Sequence, residues 1–143
     1  MGGFNSTNWT NAINTRLAIS NSFGINFTIT YDSVSRNGTL NIQIGQLTGT
    51  AQTNLVMHIV VVENYLILDP PAPNGETEFD NTLRDLLTAP DGEPLNITPG
   101  QTQNFISDFT LLNGIDQHNT DIVIFVQKTD TREVFGVFKK KLM

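Results

Sequence analysis

Between residues 24 and 33 apolar and polar side chains alternate. Ile25, Phe27, Ile29 and Tyr31 fall on one side of the chain, and Asn26, Thr28 and Thr30 on the other. A period of two is that of a β-strand with one buried face. Residues 39–47 answer with Leu40, Ile42 and Ile44, and the intervening Asn37-Gly38 is a tight-turn dipeptide. Residues 24–47 therefore predict a β-hairpin. Upstream, residues 14–22 predict a short strand with Leu17 and Ile19 on one face. Residues 1–13 are polar and patternless, as a tag or linker would be.

The alternation gives way at residues 54–68 and 120–128, where both faces are apolar. Such strands are covered on both sides, and the run Val60-Val61-Val62 favours strand over helix. Prolines in residues 69–75 break regular structure. Residues 93–101 predict a short edge strand with a Pro-Gly turn. Residues 102–112 predict a strand with Phe105, Phe109 and Leu111 on one face, and residues 133–140 the last strand. Seven or eight strands at this spacing predict an immunoglobulin- or fibronectin-III-like β-sandwich, a single domain over residues 14–143.

One segment carries a different period. Phe79, Leu83, Leu86 and Leu87 stand at i, i+4, i+7 and i+8, the stripe of an amphipathic helix over about residues 77–88. Thr77 is placed to cap it with Asp80 three residues on, and Pro90 and Gly92 to end it. So short a helix needs an apolar partner. The surplus apolar face of residues 54–68 supplies one, which makes the helix a cover for the sheet. Arg84 and Glu63 would then meet in a bidentate ion pair, and Leu83→Asp is expected to unfold or aggregate the domain.

Composition narrows the function. Of 143 residues, 38% are hydrophobic and only 15% charged, with Asn, Thr, Gln and Ser carrying the polar weight, a balance that suits extracellular β-domains. A net charge of −6 without a basic aromatic face argues against nucleic acid. Lys139-Lys140-Lys141 forms a solvated end. With no cysteine, thiol catalysis and cysteine-ligated metals are excluded. His58 and His118 are far apart in sequence, so no histidine metal site and no cofactor is expected. Asp116, Asn119 and Asp121 in the loop after residue 112 form a weak calcium candidate. Glu76, Glu78, Asp80, Asp85, Asp91 and Glu93 sit where solvated helix-end and turn residues belong, with no catalytic motif among them. The longest apolar run is interrupted by His58, Glu63 and Asn64 and is too short to span a membrane.

The succession of residues 55–64, 79–87, 92–111 and 120–136 resembles the C-terminal β-sandwich of the Omp28-like outer-membrane proteins of Bacteroidetes. The matching positions are Glu63 closing the apolar strand, Arg84, Gly92 to Pro94, Gly100 to Thr102, Phe125 to Gln127 and Thr131 to Val134, over about residues 24–138. The resemblance implies an exported protein in which a thioredoxin-like region precedes the sandwich. Without cysteine, thiol–disulfide activity would lie outside this chain. The expected function is that of a non-catalytic spacer or protein-interaction module of a longer exported protein, secreted, periplasmic or outer-membrane-associated. The alternatives are a carbohydrate- or peptide-binding module using Trp9, Tyr31 or Tyr65, and an enzyme domain. Other domains of the parent chain or envelope proteins would be its partners, and the lightly guarded last strand offers an edge through which two copies could pair.

Overall fold

A computed structural model describes residues 6–18 and 22–143. One helix, α1 (Ser6–Leu17), precedes ten strands. These are β1 (Phe23–Asp32), β2 (Asn37–Gln46), β3 (Leu55–Glu63), β4 (Leu66–Ile67), β5 (Glu78–Phe79), β6 (Thr82–Leu86), β7 (Glu93–Leu95), β8 (Thr102–Thr110), β9 (Thr120–Lys128) and β10 (Val134–Lys141). All pairing is antiparallel. A three-stranded sheet runs β1-β2-β8, a five-stranded sheet runs β10-β9-β3-β6 with β7 also on β3, and β4 pairs with β5.

The two larger sheets face each other through their core side chains, which on β1 and β2 are ones that the alternation marks as inward. Phe27, Leu40, Ile42, Ile44 and Phe109 come from one, and Leu55, Met57, Ile59, Val61, Ile122, Ile124 and Val126 from the other. Phe23 meets Phe135 and Phe27 meets Phe138 edge to face, at 6.0 and 5.6 Å between ring centres. These pairs close the sandwich along its β1–β10 side.

The hairpin forms as expected, but its turn lies elsewhere. The chain reverses over residues 33–36. There the Asp32 carboxylate accepts from the Val34 N–H at 2.9 Å and the Ser35 hydroxyl at 2.8 Å, and Arg36 takes φ 60. Asn37-Gly38 belongs to β2. Gly38 sits opposite Tyr31 because the Phe109 ring fills the space of a side chain, and a Cβ there would lie 2.5 Å from it. That ring stacks on Tyr31 at 6.1 Å.

Residues 77–88 form no helix, contrary to the stripe reading. They hold β5, a reversal at Asp80-Asn81 and β6. Asn81 takes φ 52, and Asp80, expected in a capping box, accepts from the Tyr65 N–H at 3.0 Å. The β3–β6 register shifts between Val61 and Val62, whose partners are Asp85 and Leu83. This bulge inserts Arg84 and breaks the period of two. Leu83 and Leu86, three apart, then pair with Val62 and Val60 on one face of the sheet. A bulged strand thus imitates helical spacing.

Among the described residues the helix is α1, which runs across the boundary expected at residue 13 and replaces the first part of the strand expected at 14–22. Residues 19–21 of that expectation lie outside the described residues, as do residues 1–5 of the expected linker. Trp9, Ile13 and Leu17 recur every four residues along α1. Arg16 ties it to the sandwich, with Nη1 at 2.6 Å from Glu133 Oε1 and Nη2 donating to the Val134 carbonyl at 2.6 Å.

Candidate functional site

The polar cluster at the end of β3 is the chemically densest part of the interior. Glu63 is only 4% exposed. Its Oε2 pairs with Arg84 Nη1, and its Oε1 accepts the Asp116 backbone N–H at 2.7 Å. Arg84 Nη2 donates onward to the Gly114 carbonyl at 3.4 Å. The two residues meet as the sequence proposes, but from adjacent strands rather than from a helix over a strand. The carboxylate is shared between a side chain and a loop backbone instead of being held bidentately. A buried carboxylate needs this full set of donors. The result is that the 113–119 loop, β6 and β3 are fixed to one anchor.

The calcium candidates are drawn into the same region with other partners. Asp116 caps its own loop, accepting from the His118 N–H and from Asn119 Nδ2, both at 2.9 Å. Asp121 Oδ2 accepts from Asn64 Nδ2 at 2.9 Å and lies 3.0 Å from Lys139 Nζ. Burial alone would raise the Asp121 carboxyl. The hydrogen bonds from Asn64 and Lys139, with the charges of Lys139 and Lys141, outweigh it and hold the pKa below its ordinary value. Asp116 and Asp121 therefore face separate donors, one of them a cation. Among the described residues no group of three or more acidic or histidine side chains is placed to hold a metal.

Sequence reasoning missed two residues here. Asn64 bridges strands, donating to Asp121 and accepting the Asn81 N–H at 3.3 Å. Arg36, from its left-handed turn, donates to the carbonyls of Leu111, Leu112 and Ile115 at 3.2, 2.9 and 2.8 Å. Nothing in the local pattern marks either, because their partners are backbone or distant side chains.

The remaining stripe residues separate. Phe79 is half-buried on β5, Leu87 packs on the core from the far side of β6, Leu86 is half-buried, and Leu83 is 63% exposed. The aromatic candidates for sugar or peptide binding separate as well. Tyr31 points inward and donates to Gln117 Oε1 at 2.8 Å, Tyr65 is exposed in a loop, and Trp9 is on α1.

The outer face of the three-stranded sheet is polar. Its rows across β1, β2 and β8 include Thr30–Thr39–Asp108, Thr28–Asn41–Ile106 and Asn26–Gln43–Asn104. An open groove of about 500 Å³ at one end is lined by Asp32, Asn37, Thr39, Asp108 and Thr110. Its acids are already engaged, Asp108 by the Thr39 hydroxyl at 2.6 Å and Asp32 by its turn. The Val34 N–H and the Ser35 hydroxyl lower the Asp32 pKa, opposite to what a general acid needs.

On the five-stranded sheet, His58 is buried and stacked on Phe125 at 5.0 Å. Burial, reinforced by the Arg132 charge, pushes its pKa below 6.5. The unfolded chain takes up this proton near pH 6.5 while the folded chain resists it. Its contribution to stability is therefore complete above about pH 6.5 and declines as pH falls through the folded pKa. Melting temperatures at pH 7.5 and 5.5 check this. His58→Phe is expected to lose less on acidification than the unaltered protein, and equal losses would count against the assignment.

The fold and these clusters define an all-antiparallel β-sandwich module whose buried charges fasten loops. Residues 2–143 match the family described as Outer membrane protein Omp28, and the chain belongs to that family. The resemblance over residues 24–138 therefore holds and extends across nearly the whole chain, and it places the protein in the cell envelope. A crystal structure of a domain of the outer membrane lipoprotein Omp28 from Porphyromonas gingivalis superposes with a TM-score of 0.62. It is 17% identical, over 85% of this chain and 95% of that one. HBP35 of Porphyromonas gingivalis superposes with a TM-score of 0.74 at 17% identity, over 92% of this chain and 45% of that one. The chain thus spans less than half the length of HBP35. At such identities these likenesses concern the fold. No curated protein matches the chain. No described helix is long and apolar enough to cross a membrane.

Proposed function

We propose that the chain is a non-catalytic interaction module of an exported envelope protein, and that the outer face of its five-stranded sheet seats another domain of the parent protein. One observation carries this reading. On β3 and β9 several residues between the core positions are also apolar: Val62, which is buried, and Val60, Val123 and Phe125, which are half-buried, so that the exposed part of this face lies at its margins. Leu86 and Leu83 on β6 and Val137 on β10 extend that face by register. The helix that the sequence assigned as its cover is not formed, and Leu83 and Val137 are 63% and 59% exposed. An apolar face of this kind on a domain of a larger protein marks a contact surface. The partial overlap with the longer HBP35 chain supports a place beside other domains.

The expected effect of Leu83→Asp is accordingly reversed from the sequence reading. The side chain is exposed, so the variant should fold with a stability within about 0.5 kcal/mol of the original. In the longer parent protein, amide hydrogens of β6 and β10 should exchange more slowly than in the isolated domain, and Leu83→Asp should remove that protection. Equal exchange in the isolated domain and the parent protein would overturn the seat and leave a spacer.

A further inference from the structure

The two edges of the three-stranded sheet are treated differently. β1 is closed against β10 by the phenylalanine pairs. β8, nine residues long, borders instead an open groove of about 280 Å³, lined by Leu87, Thr88, Ala89 and Glu93 across from Phe105 and Ser107. Its register with β2 is unbroken from Thr102 to Thr110. The bonds flanking that ladder fix its phase: the Leu111 N–H donates to the Arg36 carbonyl at 2.8 Å, and the Gln46 N–H to the Gln101 carbonyl at 3.3 Å. Odd-numbered residues of β8 therefore bond to β2. Thr102, Asn104, Ile106, Asp108 and Thr110 turn their N–H and C=O groups outward. Among the described residues no backbone group outside the ladder bonds to them.

Natural edge strands are blunted by lysine, proline, bulges or short length. The other exposed edges here conform. β10 ends in Lys139–Lys141 and carries Arg16 of α1 at Val134, so the edge to which the sequence points is the guarded one. β6 is short and bulged. β8 has no lysine, proline or bulge, and Asp108 is its single charge. At its centre Ile106 is 74% exposed on an otherwise polar face.

We propose that β8 is the seam of a homodimer, in which two copies pair antiparallel about a twofold axis at Ile106 and form one continuous six-stranded sheet. The sequence of the strand selects a second copy as the occupant. About that axis Ile106 meets its own counterpart, Asn104 faces Asp108 of the other copy, and Thr102 faces Thr110. Each row matches in chemistry, and the only charge meets an amide donor instead of another carboxylate. The rows are even on even, as the outward-turned backbone groups require, and would make roughly ten inter-strand hydrogen bonds at two per bonded pair. Shifting the axis to Phe105 would set Asn104 against Ile106 and Thr102 against Asp108. The proposal does not rest on the seat on the five-stranded sheet, which is a different surface.

Sedimentation over a concentration series tests it. The chain should dimerise reversibly, and more tightly as salt screens two copies of net charge −6. Ile106→Lys should weaken the dimer roughly tenfold or more while leaving the unfolding transition in place. Because the chain has no cysteine, Ile106→Cys gives a single thiol. A short bis-maleimide should link it into dimers, whereas the same reagent should leave Asn26→Cys, on the opposite edge strand, monomeric. A chain that is monomeric at every concentration, a dimer that survives Ile106→Lys, or equal linking of Asn26→Cys would each overturn the seam.

Discussion

Arg84→Met is expected to destabilise the domain by about 3–5 kcal/mol, the usual effect of removing one partner from a buried ion pair. Glu63 is 4% exposed, and without Arg84 it would keep only the Asp116 N–H as a donor. Its charge would be left in a medium that cannot solvate it. The loss should appear as a fall of about 10 °C in melting temperature. The double variant Glu63→Met/Arg84→Met decides what the pair does. Apolar replacement of a whole buried pair is often close to neutral, so the double variant should recover most of the lost stability. What it should not recover is the order of the 113–119 loop, since the Asp116 N–H and the Gly114 carbonyl lose their partners as well. Faster amide exchange in that loop at near-original stability would show that the pair serves geometry more than stability. A double variant as unstable as Arg84→Met would show the reverse. As the carboxylate and arginine that the family resemblance also singled out, these two residues give the sandwich a fixed loop end.

That pair could be anticipated from sequence, although the element carrying it could not. Strands with undisturbed alternation, such as residues 24–33, or with two apolar faces, such as 120–128, announce themselves because every residue obeys one period. β6 does not, since Arg84 is an inserted residue. One insertion turns a spacing of two into a spacing of three, which is also the spacing of a helix. α1 was hidden for the opposite reason. Its asparagines and threonines are poor helix formers, and only Trp9, Ile13 and Leu17 carry the period. Asn37-Gly38 reads as the turn of the first hairpin because it has a turn's chemistry, but its task is different. Its glycine makes room for Phe109, seventy-one residues later in sequence. Local signals identify elements, whereas a glycine required by a distant ring, or an arginine bonded to distant carbonyls as Arg36 is, has no local trace. The over-apolar strand was legible as a demand for cover. Which body meets that demand was not, because the cover assigned to it turned out to be part of the sheet.

Gly92→Ala is expected to destabilise the domain by more than its backbone angle alone would cost. Two costs coincide there. Gly92 takes φ +81, a left-handed conformation that costs an L-residue about 1–2 kcal/mol. A Cβ would also lie 2.8 Å from Val56 Cβ, 3.0 Å from His58 Cε1 and 3.0 Å from the Met57 carbonyl oxygen. The imidazole is held against Phe125, and the Met57 carbonyl belongs to β3, which is paired there with both β7 and β9. None of these neighbours is the free end of a flexible side chain, so relief requires moving a central strand. Overpacking of this kind adds about 1–3 kcal/mol, for a total of about 2–5 kcal/mol. Gly75→Ala separates the two terms, because Gly75 has φ +86 and nothing within 4 Å of the added carbon. It should show the conformational cost alone. Denaturant unfolding of both variants gives the comparison, and equal losses would mean that β3 yields to the methyl. A loss at least twice as large for Gly92→Ala would establish that the turn before β7 is pressed onto the central strand, so that the glycine of the Gly92-to-Pro94 motif is kept for contact as well as for its backbone angle.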